Sequence, residues 1–156
     1  MRKMIINLAY KISHKIRSCT FRVIGAKTVG ARALVVNNDQ VLLIKHTYQS
    51  GWCTIGGTVE KNESTGEAIF RELFEEVGVT PTEEPELFSV YHSNFEKRDD
   101  YVVFYIVKKF EIKDSYSPEI ADKKWFCVQD LPSETTPATR RRIEEFLGHR
   151  KKSDRW

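Results

Sequence analysis

The stretch Gly57–Val79, GTVEKNESTGEAIFRELFEEVGV, decides the fold. Ser64 followed three residues later by Glu67 is a capping box, and Gly78 after Val77 is the residue type that ends helices in a left-handed turn. The spacing therefore predicts a helix from Ser64 to Val77. With each residue turning about 100°, Glu72, Glu75 and Glu76 fall within roughly a 100° arc that also holds Ala68. Ile69, Phe70, Leu73, Phe74 and Val77 take the opposite side. One face suits a core and the other concentrates anions.

The anionic face needs a physical reason. On an exposed helix a like-charge pair at the i, i+4 spacing of Glu72 and Glu76 costs only about 0.2–0.5 kcal/mol. At an effective dielectric of about 20, two charges some 4 Å apart repel by about 4 kcal/mol. Composition alone allows a solvated acidic face with Arg71 paired to Glu75, but in a cleft the cluster calls for a cation. Carboxylate oxygens suit hard ions, and Mg²⁺ is usually held by one or two carboxylates plus water and substrate phosphate oxygens.

Gly57, Glu63, Arg71, Glu72, Leu73, Glu75, Glu76, Gly78 and Val79 stand at fixed intervals. In that pattern the stretch resembles the signature of the Nudix (MutT-like) hydrolases: a glycine, five residues, Glu, seven residues, Arg-Glu, an aliphatic, any residue, Glu-Glu, any residue, Gly, an aliphatic. The resemblance implies an α/β fold, an α/β/α sandwich with a mixed sheet. It also implies hydrolysis of a pyrophosphate bond in a nucleoside diphosphate linked to another group, with Mg²⁺ or Mn²⁺ and water. On that resemblance Glu72, Glu75 and Glu76 are metal ligands, the Gly56 carbonyl completes the shell, and Glu72 is discussed as a base in some members. Arg71 and Glu63 support the loop and orient the acids. A further acid from a loop near the end of the sheet acts as ligand or base in several members; Glu119 is the candidate and Asp122 the reserve. Where related chains carry Leu-Pro before the two glycines, this chain has Thr54-Ile55. None of the downstream markers of ADP-ribose, dinucleoside polyphosphate, coenzyme A or NADH hydrolases stands at its spacing, so the substrate is not named by sequence.

At 156 residues, with 40% hydrophobic and 30% charged residues, the chain reads as one domain. It has no apolar run approaching the roughly 20 residues that span a bilayer. Cys19, Cys53 and Cys127 are odd in number and widely spaced, without a metal-binding pattern, which favours a reducing cytoplasm. The net charge of +3 conceals a division: residues 1–38 contain eight Lys and Arg and no acid, and the remaining 17 basic and 22 acidic residues leave −5.

The spacing predicts three regions. Residues 1–24 form a basic amphipathic arm, with Ile5, Leu8, Ala9, Ile12 and Ile16 at helical intervals. Its apolar stripe suits packing on the domain or on a second copy in a homodimer, a membrane surface, or RNA contact through its basic face. Residues 25–148 form the Nudix-like domain, and 149–156, HRKKSDRW, read as a basic mobile tail. Within the domain, Thr28–Val36 and Val41–His46 form a hairpin around Asn37-Asn38-Asp39-Gln40. Strands follow at Glu86–Asn94 and Tyr101–Phe110, a short one at Lys124–Val128, and a helix begins at Thr136-Pro137 and stops at Gly148. His46, Tyr48 and Trp52, just before Gly56-Gly57, are candidates to line a substrate cleft.

Three functions remain open at this level: a Mg²⁺-dependent pyrophosphohydrolase of a nucleotide-type substrate, a non-catalytic nucleotide-sensing module, and an RNA 5′-end pyrophosphohydrolase using the basic arm.

Overall fold

A computed structural model describes residues 27–94 and 99–156. The basic arm predicted at 1–24, and with it the homodimer, membrane and RNA contacts assigned to it, lies outside the described residues.

Strand β1 (Thr28–Asn37) runs through the centre of the fold because its alternation feeds two cores. Ala31, Ala33 and Val35 enter one core, and Leu34 and Val36 the other. The turn into β2 (Gln40–His46) is made at Asn38, whose φ of 54° is a conformation asparagine tolerates. Then come β3 (Ile55–Thr58), helix α1 (Thr65–Val77), β4 (Val79–Pro81), β5 (Glu86–Ser93), β6 (Asp100–Val107), β7 (Phe110–Ile112), β8 (Ile120–Cys127) and helix α2 (Pro137–Phe146).

The main sheet has the order β5-β6-β1-β2-β8, and β3 also pairs with β1. β1 divides its partners along its length: Gly30–Ala33 pair with β3, and Val35–Asn37 pair with β2. Its pairing with β6 is parallel and the other pairings are antiparallel, so the sheet is mixed. Ala68, Ile69, Leu73 and Val77 of α1 pack on one face, and Ile143 of α2, with Phe146, packs on the other. The α/β/α sandwich expected from the sequence is present. No helix among the described residues is long and apolar enough to cross a membrane.

Several elements differ from their sequence reading. The strand expected at Tyr101–Phe110 breaks at Lys108-Lys109 into β6 and β7, and β7 pairs with β4 in a small separate sheet. β8 begins at Ile120 and is eight residues long, because β2 offers it a full-length partner. Phe74, placed on the apolar side of α1 by the helical wheel, is 59% exposed.

Residues 149–156, read as a mobile tail, lie along β5. The His92 N–H donates to the Asp154 carbonyl at 2.8 Å, and the Trp156 N–H donates to the His92 carbonyl at 2.9 Å. The Trp156 ring sits 5.7 Å from both Tyr91 and Phe104. Beneath it Arg142, wholly buried, lays its guanidinium 3.8 Å from the Tyr91 ring centre. That guanidinium donates to Glu145 at 2.8 Å and to the Arg155 carbonyl at 3.0 Å. One aromatic anchor thus outweighs the basic composition of the segment, and the segment covers an edge strand that would otherwise be open.

Candidate active site

α1 presents its acids at a fixed angle because both of its ends are fastened. Ser64 Oγ accepts from the Glu67 N–H, and Glu67 Oε2 accepts from the Ser64 N–H, so the capping box is formed. Gly78, at φ 74°, turns the chain away and donates its N–H to Phe74 and Leu73 carbonyls. The apolar side of the helix is then locked by Ile69, Leu73 and Val77, each with no exposed surface.

The two glycines bring β3 against these acids. Gly56 has φ 131°, and a Cβ there would lie 2.2 Å from the Ala31 carbonyl oxygen. A Cβ on Gly57 would lie 2.4 Å from Glu72 Oε1. Lacking side chains, Gly56 lets β3 close on β1 and Gly57 lets the backbone meet the Glu72 carboxylate.

Glu76 is the most buried of the helix acids, at 6% exposure. It accepts a hydrogen bond from the Gly56 N–H at 2.9 Å, and its other oxygen lies 3.9 Å from His46 Nδ1. Burial, and then the charge of Glu72, push its carboxyl up to about 8. Burial also raises Glu72, against the pull of Arg71, which donates to Glu72 Oε1 at 2.8 Å. Arg71 is heavily engaged: Glu63 receives two of its N–H groups at 2.8 and 3.0 Å, Glu75 lies at 3.4 Å, and the Thr58 carbonyl at 3.3 Å. The Arg71 hydrogen bonds hold Glu63 below the usual carboxylate range. Arg71 and Glu63 are thus joined by two hydrogen bonds, and Arg71 reaches Glu72 and Glu75 from the same position.

Glu72, Glu75, Glu76, Arg71 and Gly56 line a cleft of about 270 Å³, which also includes Arg32, Tyr48, Glu119, Thr28, Asp100, Val102 and Ser117. Glu119 reaches it from the segment before β8, and its charge adds to the upward shift of both Glu76 and Tyr48. Asp122 lies on β8, where it accepts from the Lys123 N–H and pairs with Lys124, and is not part of the lining.

The loop candidates divide three ways. Tyr48 lines the cleft, and burial raises its phenol above the usual range, so it presents a protonated hydroxyl. His46 lies beneath it, stacked at 4.8 Å, and reaches Glu76 rather than the lining. Trp52 does not line the cleft: it is buried in the α2-side core, edge-on to Phe126 at 4.7 Å. Its neighbours Cys53 and Ile55 face the other core, and alternation carries Trp52 away from the site.

Arg32 was not singled out by the sequence, although a signal was present. It is the one charged residue in the otherwise uncharged run Thr28–Val36, and it pairs in register with Gly56.

Among the described residues no three acidic, imidazole or thiol groups converge as a closed metal shell. The side-chain donors that Glu72, Glu75 and Glu76 bring to the cleft are nonetheless all oxygen, and Gly56 lines it beside them. A partial carboxylate shell completed by water and substrate oxygens is the arrangement that suits a small hard cation.

A family model described as the NUDIX domain matches residues 26–146. The chain is 31% identical over 96 residues to diphosphoinositol polyphosphate phosphohydrolase 2 of Rattus norvegicus, covering 59% of this chain and 52% of that protein. It is 32% identical over 99 residues to the RNA pyrophosphohydrolase of Pasteurella multocida, covering 63% of this chain and 46% of that one. The chain thus spans about half the length of these two relatives. Among solved structures, the MutT NUDIX hydrolase of Burkholderia pseudomallei superposes with a TM-score of 0.68 at 27% identity, covering 76% of this chain and 97% of that one. The matched span takes in every element from β1 through α2, and the chain belongs to the NUDIX domain family.

Proposed function

We propose that this chain is a Mg²⁺- or Mn²⁺-dependent pyrophosphohydrolase that cleaves the diphosphate bond of a nucleotide or of a nucleoside diphosphate linked to another group. The observation that supports this reading most is the crowding of acidic side chains in one cleft, where they cannot all ionise at neutral pH without a cation beside them. Glu72, Glu75, Glu76 and Glu119 line it together, and Glu76 is buried with its carboxyl pushed up to about 8. A diphosphate would be repelled from such a surface unless a cation stood between them.

Glu72, Glu75, Glu76 and the Gly56 carbonyl are the groups that would hold the metal. When bound, a divalent ion neutralises phosphate charge and lowers the pKa of a coordinated water. The chain's own residues do the rest. The Gly56 N–H fixes one oxygen of Glu76. Arg71, held by Glu63, fixes Glu72 and limits the swing of Glu75. Glu119 enters from a different element and is the candidate to take the proton from the attacking water as the P–O bond forms and the bridging P–O bond breaks, the leaving phosphate carrying away the electron pair. Glu72 accepts from Arg71 at 2.8 Å and is held in place by that bond.

The test is a phosphate-release screen with Mg²⁺ or Mn²⁺ over canonical and oxidised nucleotides, nucleotide sugars, ADP-ribose and dinucleoside polyphosphates. At least one compound should be cut between phosphates, and Glu72→Gln and Glu119→Gln should each slow that cut by about 10²-fold or more. Tight nucleotide binding with no product over hours would instead support a sensing module.

A further inference from the structure

Beyond the acidic machinery, the described residues of the cleft include one cation that makes a single hydrogen bond to another described residue. Two arginines line it. Arg71 spends its donors on Glu63, Glu72, Glu75 and the Thr58 carbonyl. Arg32 makes one hydrogen bond among the described residues, from Nη1 to the Thr54 carbonyl at 3.1 Å, and forms no ion pair with a described carboxylate. A guanidinium carries five N–H donors, so four of those of Arg32 make no hydrogen bond to a described residue, and the side chain is among those that line the cleft. It acts electrostatically on Glu72, Glu76 and Tyr48 without closing on any of them.

That restraint has a structural origin. Arg32 stands on the central strand, held in register to Phe104 of β6 on one side and to Gly56 of β3 on the other. The Thr54 carbonyl then tethers the guanidinium itself. An arginine on a loose element among four carboxylates would collapse into a bidentate pair with one of them. Here the fork is tied to the Thr54 carbonyl and lines the same cleft as the acids without an ion pair to any described one.

We propose that Arg32 is a substrate-binding residue that grips a phosphoryl group of the diphosphate directly, supplying the planar two-donor contact that the carboxylate end of the cleft lacks. This rests on the diphosphate chemistry proposed above. The ligand it recognises is the phosphoryl oxygen pair of a diphosphate, whatever group the diphosphate carries. Lysine would keep the charge but lose the fork.

Binding of methylenediphosphonate, whose P–C–P bridge resists hydrolysis, tests this by isothermal titration with Mg²⁺ present. Wild type should bind it, Arg32→Gln should weaken binding by about 10–100-fold, and Arg32→Lys should recover part of the loss. Mn²⁺ affinity without the phosphonate, followed by electron paramagnetic resonance, should change less than about twofold in Arg32→Gln, because Arg32 is not a metal ligand. If Arg32 serves only to hold the Thr54 carbonyl, Arg32→Gln will melt lower while its phosphonate affinity below the melting range stays at the wild-type value, and the proposal is overturned. Equal losses of Mn²⁺ and phosphonate binding would overturn it too, placing Arg32 in the support of the acids. A wild-type chain that binds no diphosphonate overturns both this assignment and the hydrolase reading beneath it.

Discussion

The Gly56 N–H points at Glu76 Oε2, 2.9 Å away, and ties the acidic helix to the strand beside it. The bond leaves a carboxylate buried at 6% exposure with Glu72 as its neighbour. A glutamine keeps an amide oxygen for the same N–H and removes an acid whose ionisation burial opposes, its carboxyl being pushed up to about 8. In metal-free buffer at neutral pH, Glu76→Gln should therefore melt no lower than wild type, as read by differential scanning calorimetry. A drop of several degrees would show that the charge itself stabilises the fold.

The adjacent glycines should respond differently to the same substitution. Gly56→Ala places a methyl against the Ala31 carbonyl at a positive φ and should destabilise by about 3 kcal/mol. At Gly57 the obstacle is the Glu72 carboxylate, the mobile end of a side chain. Gly57→Ala should keep most of the stability and lose activity by about tenfold or more, through displacement of Glu72. Urea unfolding together with turnover on whichever substrate the screen finds separates the two cases.

The capping box predicts an acid-sensitive contribution to stability. Hydrogen bonds from the Ser64 backbone and hydroxyl hold the Glu67 carboxyl below its ordinary value of 4.5. A lowered pKa in the folded state gives stability that is present above the unfolded value and is lost as pH falls through the folded one. Ser64→Ala should cost about 1 kcal/mol at neutral pH. The deficit of Glu67→Ala should be visible in urea at pH 7 and fade as the pH is brought below 4.5. A deficit that stays constant across that range would show that Glu67 acts without its charge.

The docked terminal segment should carry global stability. Trp156→Ala removes a ring packed on Tyr91 and Phe104 and should cost about 3 kcal/mol. Arg142→Met leaves Glu145 buried at 4% exposure without its cation and should cost about 3 kcal/mol or more. Equilibrium urea unfolding gives both figures. Near-neutral values would mean that the segment is released from β5 in solution.

What the sequence reveals follows from how local each signal is. The ends of α1 are readable because Ser64, Glu67 and Gly78 act within a turn of the residues they cap. The acids are readable because their spacing is helical. β3 is not readable: Ile55–Thr58 contains two glycines in four residues, and its strand character comes from pairing with β1. The buried Arg142–Glu145 pair and the docking of Trp156 are hidden for a related reason. Their partners Tyr91 and His92 lie some fifty or more residues away, so the local composition shows only charge. Phe74 illustrates the limit of the helical wheel, which locates a stripe without saying how wide the opposing sheet is. Arg32 needed the register with Gly56 before its position in the cleft had meaning.

Whether the cleft carboxylates hold a divalent cation is decided by Mn²⁺ titration of the purified chain, followed by electron paramagnetic resonance. Wild type should take up Mn²⁺ saturably, and Glu72→Gln and Glu76→Gln should each weaken that uptake by about 10–100-fold. Equal Mn²⁺ affinity in wild type and both variants would contradict the account.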